Sequence, residues 1–333
     1  MGHYYADHTV ELRKQLGREL STADLRRLHE KRPALHFMIA LALLSVLVLS
    51  TLAIVNLHVW YLWLPVAFVS GFAIFDFTIL LHEVVHRAVV DREQGSLNQL
   101  IGLLYAIPSG ISSTQFTRWH LDHHASLGSY EEDPKRHYLS PKRNARWFKA
   151  LYFTPALFPI YFRAARTEAA TYPPELRKRI NLERNLTISA HLVLLAVIVY
   201  FAGFDIAWKT YLVPYFFVFP VAFALNRLGQ HYDIDPSDPA KWSTLIRGSW
   251  FWDVIYLFSN YHLEHHYFPS VPFYNLPRLQ KLLMPFYEKR GFVSRSYGQL
   301  LWSWFVENRK PHSRWEAQGL GGAIVREEES FFP

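Results

Sequence analysis

Apolar positions in this chain gather in long unbroken runs, not in the alternating pattern of a half-buried strand. Phe37–Asn56 is twenty residues without a charge. At about 1.5 Å per residue, that length crosses a hydrocarbon layer of roughly 30 Å. Val59–Leu81 is a second such run, interrupted only by Asp76, and Leu186–Phe204 and Trp208–Leu225 make a third and a fourth. Leu97–Ile111 is apolar too, but at fifteen residues it is too short to span and it carries Pro108. It reads as a re-entrant or interfacial helix. The pattern predicts an all-α integral membrane fold with four transmembrane helices. One domain covers residues 1–333, with spans at about 37–56, 59–81, 186–204 and 208–225 and a helical cap at 82–185 and 226–333.

Charge orients this arrangement. Between Thr114 and Asn185 lie thirteen Lys and Arg residues, whereas the two short loops on the other side hold a single lysine, Lys209. By the positive-inside rule both termini and the long middle loop face the cytoplasm. Half of the residues are hydrophobic, 17% are aromatic and 19% are charged, too few charges for a typical soluble enzyme. The formal net charge of +7 therefore points to a membrane surface and not to nucleic acid. Ser21, three residues before Asp24, predicts a capped basic helix lying on anionic lipid.

Histidines cluster against this topology. HEVVH holds His82 and His86, HLDHH holds His120, His123 and His124, NRLGQHYD holds His231, and HLEHH holds His262, His265 and His266. Residues three and four apart share a helix face, so each cluster is expected to offer its rings on one side. An even number of spans separates the groups, which brings all of them out on the cytoplasmic side. Imidazole suits zinc, copper, iron and nickel, and the absence of cysteine removes structural zinc and iron–sulfur centres. Nine nitrogens provide four or five for each of two ions. Glu83, Asp122 and Glu264 sit between the histidines and are expected to orient the rings by accepting their second N–H. Asp76, an acid within a span, is a further candidate for that role.

These boxes, in order HxxxH, HxxHH and HxxHH with a separate histidine after the last span, resemble the membrane fatty acid desaturase and hydroxylase superfamily. The text HHYFPSVPFYNLPRL after the third box is similar as well, and the resemblance runs from about Phe37 to Leu283. It implies a cytoplasmic cap over membrane helices, holding two iron ions on His82, His86, His120, His123, His124, His231, His262, His265 and His266. It also implies that Asn226 or Gln230 holds a water on one iron. The implied reaction is O2-dependent oxidation of a fatty acyl chain, presented as a CoA ester, carrier-protein ester, lipid or free acid. Desaturation leads, with hydroxylation, carotenoid ketolation or decarboxylation to a terminal alkene as alternatives. No cytochrome-b5-like segment is fused here, so a ferredoxin or cytochrome b5-type donor with its reductase is expected at a bacterial inner membrane.

Two bland readings stand beside this one. A metal transporter or sensor would also use histidine clusters, but it would set them at mid-membrane and not at span ends. The remaining histidines His3, His8, His29, His36, His137 and His312 are expected at the surface, and His191 is expected to pack inside a span.

Overall fold

The computed structural model describes residues 4–90, 95–129, 131–141 and 143–308. Helices make up the architecture, and among the described residues the only β contact is an isolated bridge between Ile246 and Arg295. Three short helices open the chain: α1 (Tyr4–His8), α2 (Val10–Glu19) and α3 (Thr22–Leu28). Ser21 caps α3 as predicted, with its Oγ accepting from Asp24 N at 3.0 Å. Leu12 and Leu16 of α2 and Leu28 of α3 are buried in the main core cluster, and Asp24 pairs with Arg278 at 3.1 Å.

Pro33 starts α4 (Pro33–Val55) at the helix N-terminus, where its missing N–H costs nothing. A tight connection leads into α5 (Trp60–Val85), which runs four residues past the predicted span and so carries His82 in its last turn. Then come α6 (Gly95–Ser109), α7 (Ser113–Ser126), α8 (Arg146–Leu151) and α9 (Leu157–Ala170). Helix α6 buries Ile101, Tyr105 and Ala106 and leaves Leu97, Leu100 and Leu104 exposed on its other face. His36, expected at the surface, is instead buried in α4, with its Nε2 3.1 Å from Tyr105 Oη. His3 and His312 lie outside the described residues.

Three helical runs are long and apolar enough to cross a membrane: Thr22–Val55, Trp60–Val85 and Pro174–His231. The third merges two of the four predicted spans, and its geometry shows why. It comprises α10 (Pro174–Ala207), a wide π-helical stretch Trp208–Val218, and α11 (Phe219–His231). Gly203 breaks the run with φ 83° and ψ 167°, a conformation open essentially to glycine alone. His191 Nδ1 then lies 2.6 Å from Tyr211 Oη. In a straight helix those two residues would stand about 30 Å apart. The chain therefore folds back at Gly203, and the two legs pack against each other. Gly71 lets the π-helical leg approach α5, since a Cβ there would collide with the Val218 side chain and Pro214 O.

The chain finishes with α12 (Trp250–Ile255), α13 (His262–Tyr267), α14 (Leu276–Lys289) and α15 (Tyr297–Leu301). All six residues of α13 are buried, so tertiary packing and not intrinsic propensity holds this short helix. Leu276, Leu279 and Leu283 of α14 fill the core beside it.

Candidate metal centre

The four histidine-bearing segments meet between the ends of α5, α7, α11 and α13. They form two groups. His82, His86, His120, His124 and His265 make one, and His123, His231, His262 and His266 make the other; within each, the ligand atoms lie within 4.8 Å of one another. The expectation that each HxxHH presents its three rings on one side is thus corrected. On α7 the i,i+4 pair His120 and His124 joins the five-histidine group, while His123 turns to the other. On α13 the division is reversed, with the i,i+4 pair His262 and His266 in the four-histidine group and His265 across from it.

Local contacts aim these rings. Ser112 caps α7 through Gln115 N at 3.1 Å, and Glu183 of α10 grips the same helix start. Its carboxylate accepts from Ser112 Oγ at 2.8 Å, Thr114 N at 2.8 Å and Thr114 Oγ1 at 2.6 Å. A negative charge at a helix N-terminus is favourable, and here it also fixes the height of three histidines. His231 ends α11, with its Nδ1 donating to Trp242 O at 2.9 Å. His123 Nδ1 meets Asp133 Oδ1 at 2.8 Å.

These two bonds settle the tautomers. A carbonyl or carboxylate oxygen only accepts here, so both Nδ1 atoms carry the proton and both Nε2 atoms carry lone pairs. The Nε2 atoms of His123 and His231 nevertheless face each other at 3.2 Å. His262 Nε2 and His266 Nε2 crowd the same point, at 3.0 and 3.3 Å from His231 Nε2. Converging lone pairs repel unless a cation lies among them, and imidazole nitrogens suit a transition metal. In the five-histidine group His86 and His120 approach at 2.7 Å through Nε2, His124 and His265 at 3.0 Å, and His82 Nε2 is buried with no protein partner. The donor set fits two metal ions.

Electrostatics agree. Burial holds the His123 ring at about 4, despite the Asp133 carboxylate that favours its charged form. Burial likewise pushes His86, His120, His124, His262, His265 and His266 well below the usual histidine value, reinforced by neighbouring rings. Neutral rings at neutral pH are what a metal requires. Lys135 Nζ sits 2.7 Å from His120 Nδ1, and burial with nearby Arg227 lowers its ammonium to about 7.

The acids between the histidines divide. Glu83 Oε1 is 3.6 Å from His82 Nδ1 while Oε2 accepts from Phe273 N at 2.9 Å, so this acid does sit beside a ring. Asp122 departs from its expected role and instead pairs with Arg118 at 2.8 Å. Glu264 departs as well, since its Oε1 takes Gln280 Nε2 at 3.0 Å and Tyr287 Oη at 2.8 Å. Asp76 is buried within α5, and its Oδ1 has no partner. Asn226 donates to Ser259 Oγ and accepts from Gln230 Nε2, both at 2.6 Å. Asp133 and Glu183 belong to no histidine box, and Lys135 counts in the sequence only as one of the thirteen basic residues of the middle loop. Asp133 and Lys135 carried one faint signal, their place in the DPK segment just downstream of HLDHH.

A cavity opens against these groups. His82, His120, His262, His265, Glu83, Asn226 and Gln230 form its polar wall, and Phe75, Ile79, Phe116, Trp119, Leu139 and Phe223 are among its apolar ones. Trp119 lines the cavity, whereas Trp250 is exposed on α12.

Membrane-length helices that carry paired histidine clusters beside an apolar cavity define a lipid-modifying membrane metalloenzyme. The family model described as fatty acid desaturase matches residues 58–298, and the chain belongs to that family. It is an oxidoreductase of lipid metabolism and an integral membrane protein. The chain is similar to the human sphingolipid delta(4)-desaturase/C4-monooxygenase DES2, 26% identical over 264 residues covering 77% of this chain and 76% of the relative. It is similar also to the human sphingolipid delta(4)-desaturase DES1, 24% identical over 260 residues and 74% of each chain. The Drosophila melanogaster DES1 is 26% identical over 232 residues and 68% of each.

Proposed function

We propose that this protein introduces a carbon–carbon double bond into the acyl or sphingoid chain of a lipid, using two iron ions, one in each histidine group. The observation that carries the proposal is the gathering of nine histidines into two groups beside a cavity with aromatic and aliphatic walls, with the lone-pair Nε2 atoms of His123 and His231 facing each other in one group. Bound iron would supply one-electron redox chemistry and O2 activation, which amino-acid side chains lack. The chain's own residues do the rest. The aromatic and aliphatic walls hold a hydrocarbon and exclude water, and the histidine wall presents that hydrocarbon to the oxidant. Two neighbouring C–H bonds break and one C=C bond forms. O2 takes up the two hydrogens, together with two protons and two electrons from a carrier, and leaves as two waters. The carrier is a ferredoxin or cytochrome b5-type protein with its reductase, and the basic segments around α7–α10 suit an acidic donor.

In this reading α4, α5, α10 and the leg Trp208–His231 are four spans, supported by the reversal at Gly203. The N-terminal helices and both histidine groups then face the cytoplasm, in keeping with the charge bias of the loops. A second reading, hydroxylation, draws support from the relative whose name includes C4-monooxygenase. The animal relatives named above say nothing for the bacterial inner membrane.

The test is iron quantitation on the purified chain, together with gas chromatography–mass spectrometry of lipids incubated with and without O2 and reductant. Two irons per chain and an O2- and reductant-dependent double bond are expected. Turnover without O2, or a single bound zinc, would sink the proposal, and a hydroxylated product would favour the second reading.

A further inference from the structure

Helix α12 lies outside the three runs long enough to cross a membrane, yet its inner and outer faces separate cleanly. Trp252 and Tyr256, four residues apart, point inward. Their rings stack at 5.6 Å, and both pack against Tyr297 of α15, at 4.5 and 5.6 Å. Trp250, Phe251 and Val254 share the opposite face and are 78, 47 and 62% exposed. Asp253 is the one charged residue of the helix, and it is turned toward the start of α13. There it accepts from Asn260 Nδ2 at 2.9 Å and from Tyr261 Oη at 3.0 Å. The outward face therefore offers water no polar side chain.

Tyr256 fixes the height of this helix. Its ring lies 5.8 Å from that of Phe72 and 5.9 Å from that of Phe75, in the middle third of α5. Those two residues stand about 10–15 Å along the helix axis from His82, on the membrane side of it. Tyr256 Oη also donates to Ala222 O of α11 at 3.3 Å. The tyrosine is fully buried between two membrane-length runs, and α12 rests against the outside of both.

We propose that α12 is an in-plane helix immersed in the leaflet on the histidine side of the membrane, with Trp250, Phe251 and Val254 against lipid acyl chains. An apolar face at the height of the spans continues their lipid-facing surface, and a short amphipathic helix can lie there without crossing. Its backbone is suited to hydrocarbon, where every N–H must find a partner within the protein. Asp253 N donates to Ser249 O at 2.8 Å, Tyr256 N to Trp252 O at 3.0 Å and Phe258 N to Asp253 O at 2.9 Å. Arg247, exposed three residues ahead of the helix, suits the level of lipid phosphates. The immersion bears on the cavity as well. Leu257 and Phe258 follow with φ 42° and 62°, left-handed conformations that are costly for residues other than glycine. They turn the chain straight into Ser259, on the cavity wall. The bilayer contact thus anchors one wall of the cavity through that turn.

The chain has no cysteine, so Trp250→Cys or Val254→Cys each supplies a single site for a fluorescent label. Leu192→Cys, on the exposed face of α10, serves as the lipid reference, and Glu19→Cys, exposed on α2, as the water reference. Full-length protein is placed in phosphatidylcholine–phosphatidylglycerol nanodiscs, which leave both membrane faces open to solution. Emission is quenched by iodide in the buffer or by a nitroxide carried on the lipid acyl chain. Labels at 250 and 254 are expected to lose as much emission to the lipid nitroxide as the label at 192. They should resist iodide and emit at shorter wavelength than the label at 19. Iodide quenching at 250 and 254 equal to that at 19 overturns the proposal. Shielding from both quenchers overturns it too, because protein would then cover the face. A second measurement needs no substitution. The unaltered protein is photolysed with a lipid bearing a diazirine on its acyl chain, and adducts are mapped by mass spectrometry. Adducts on Trp250, Phe251 or Val254 support the immersion, and adducts confined to the long apolar runs overturn it. Neither readout involves bound metal or turnover, so the outcome is independent of the proposed function.

Discussion

Asp133 and His123 are joined at 2.8 Å through Oδ1 and Nδ1, and this single bond turns the ring's other nitrogen toward His231. The acid thus fixes both the tautomer and the aim of one ring in the four-histidine group. Asp133→Asn keeps the shape and removes the charge. Loss of such an outer carboxylate typically lowers metal affinity by about 10–100-fold. Titration with a divalent metal should show one of two sites weakened by that factor, and Asp133→Glu should recover part of it.

Glu183 ties α10 to the start of α7 through three hydrogen bonds, and Arg179 Nε of its own helix donates to it at 3.1 Å. Glu183→Ala leaves the Ser112 and Thr114 donors without an acceptor, at a cost of roughly 2–3 kcal/mol. Thermal melting should fall accordingly. Because α7 supplies rings to both groups, iron content should fall at both sites together.

Gly203 has open space around it, since an added Cβ would meet nothing within 4 Å. Any penalty for Gly203→Ala therefore comes from backbone strain alone, about 1–3 kcal/mol. A lowered melting temperature with unchanged iron stoichiometry is the expected result. No loss of stability would argue that the chain reverses elsewhere.

The buried rings predict a pH dependence for the metal-free protein. His123 titrates at about 4 when folded, against 6.5 for a free ring. Between those values the unfolded chain binds more protons than the folded one, so stability rises with pH there and falls as the solution is acidified. Melting temperature should hold above pH 6.5 and decline steadily below it. Bound metal should reduce the decline, because it competes with protons for the same lone pairs.

Eight of the nine histidines were legible because ligand pairs at i,i+4 write themselves into the sequence as HxxxH and HxxHH; His231, alone in NRLGQHYD, drew notice only by its place after the last apolar run. Their partition was not legible. Whether His123 sides with His120 depends on how α7 is rotated between α5 and α11, which local spacing does not encode. The partners that set the rings were hidden for a related reason. Glu183 lies 69 residues from Thr114, and nothing in its own neighbourhood marks it as a helix anchor. His36 looked like a surface residue because the charged segment LHEKRP precedes it. It is buried because α6, whose approach no local pattern announces, brings Tyr105 against it. The apolar runs found the long helices, and they separated 186–204 from 208–225, which the structure holds in one helical run, Pro174–His231. Nothing local marks Gly203, one ordinary glycine among fifteen, as the point where that run reverses.

Helices α7 and α13 each send rings to both groups, and His265 faces His124 across 141 residues of chain. Neither group can close until the last of these helices exists. During synthesis the long apolar helices and the first six of the nine clustered histidines emerge well before His262–His266 leaves the ribosome. If the groups hold iron as proposed, metal loading is a late event on a nearly finished polypeptide, and it joins α5 and α7 to α11 and α13 at once. On that reading a cell short of iron would accumulate chains whose histidine groups stay open to whatever other metal arrives first.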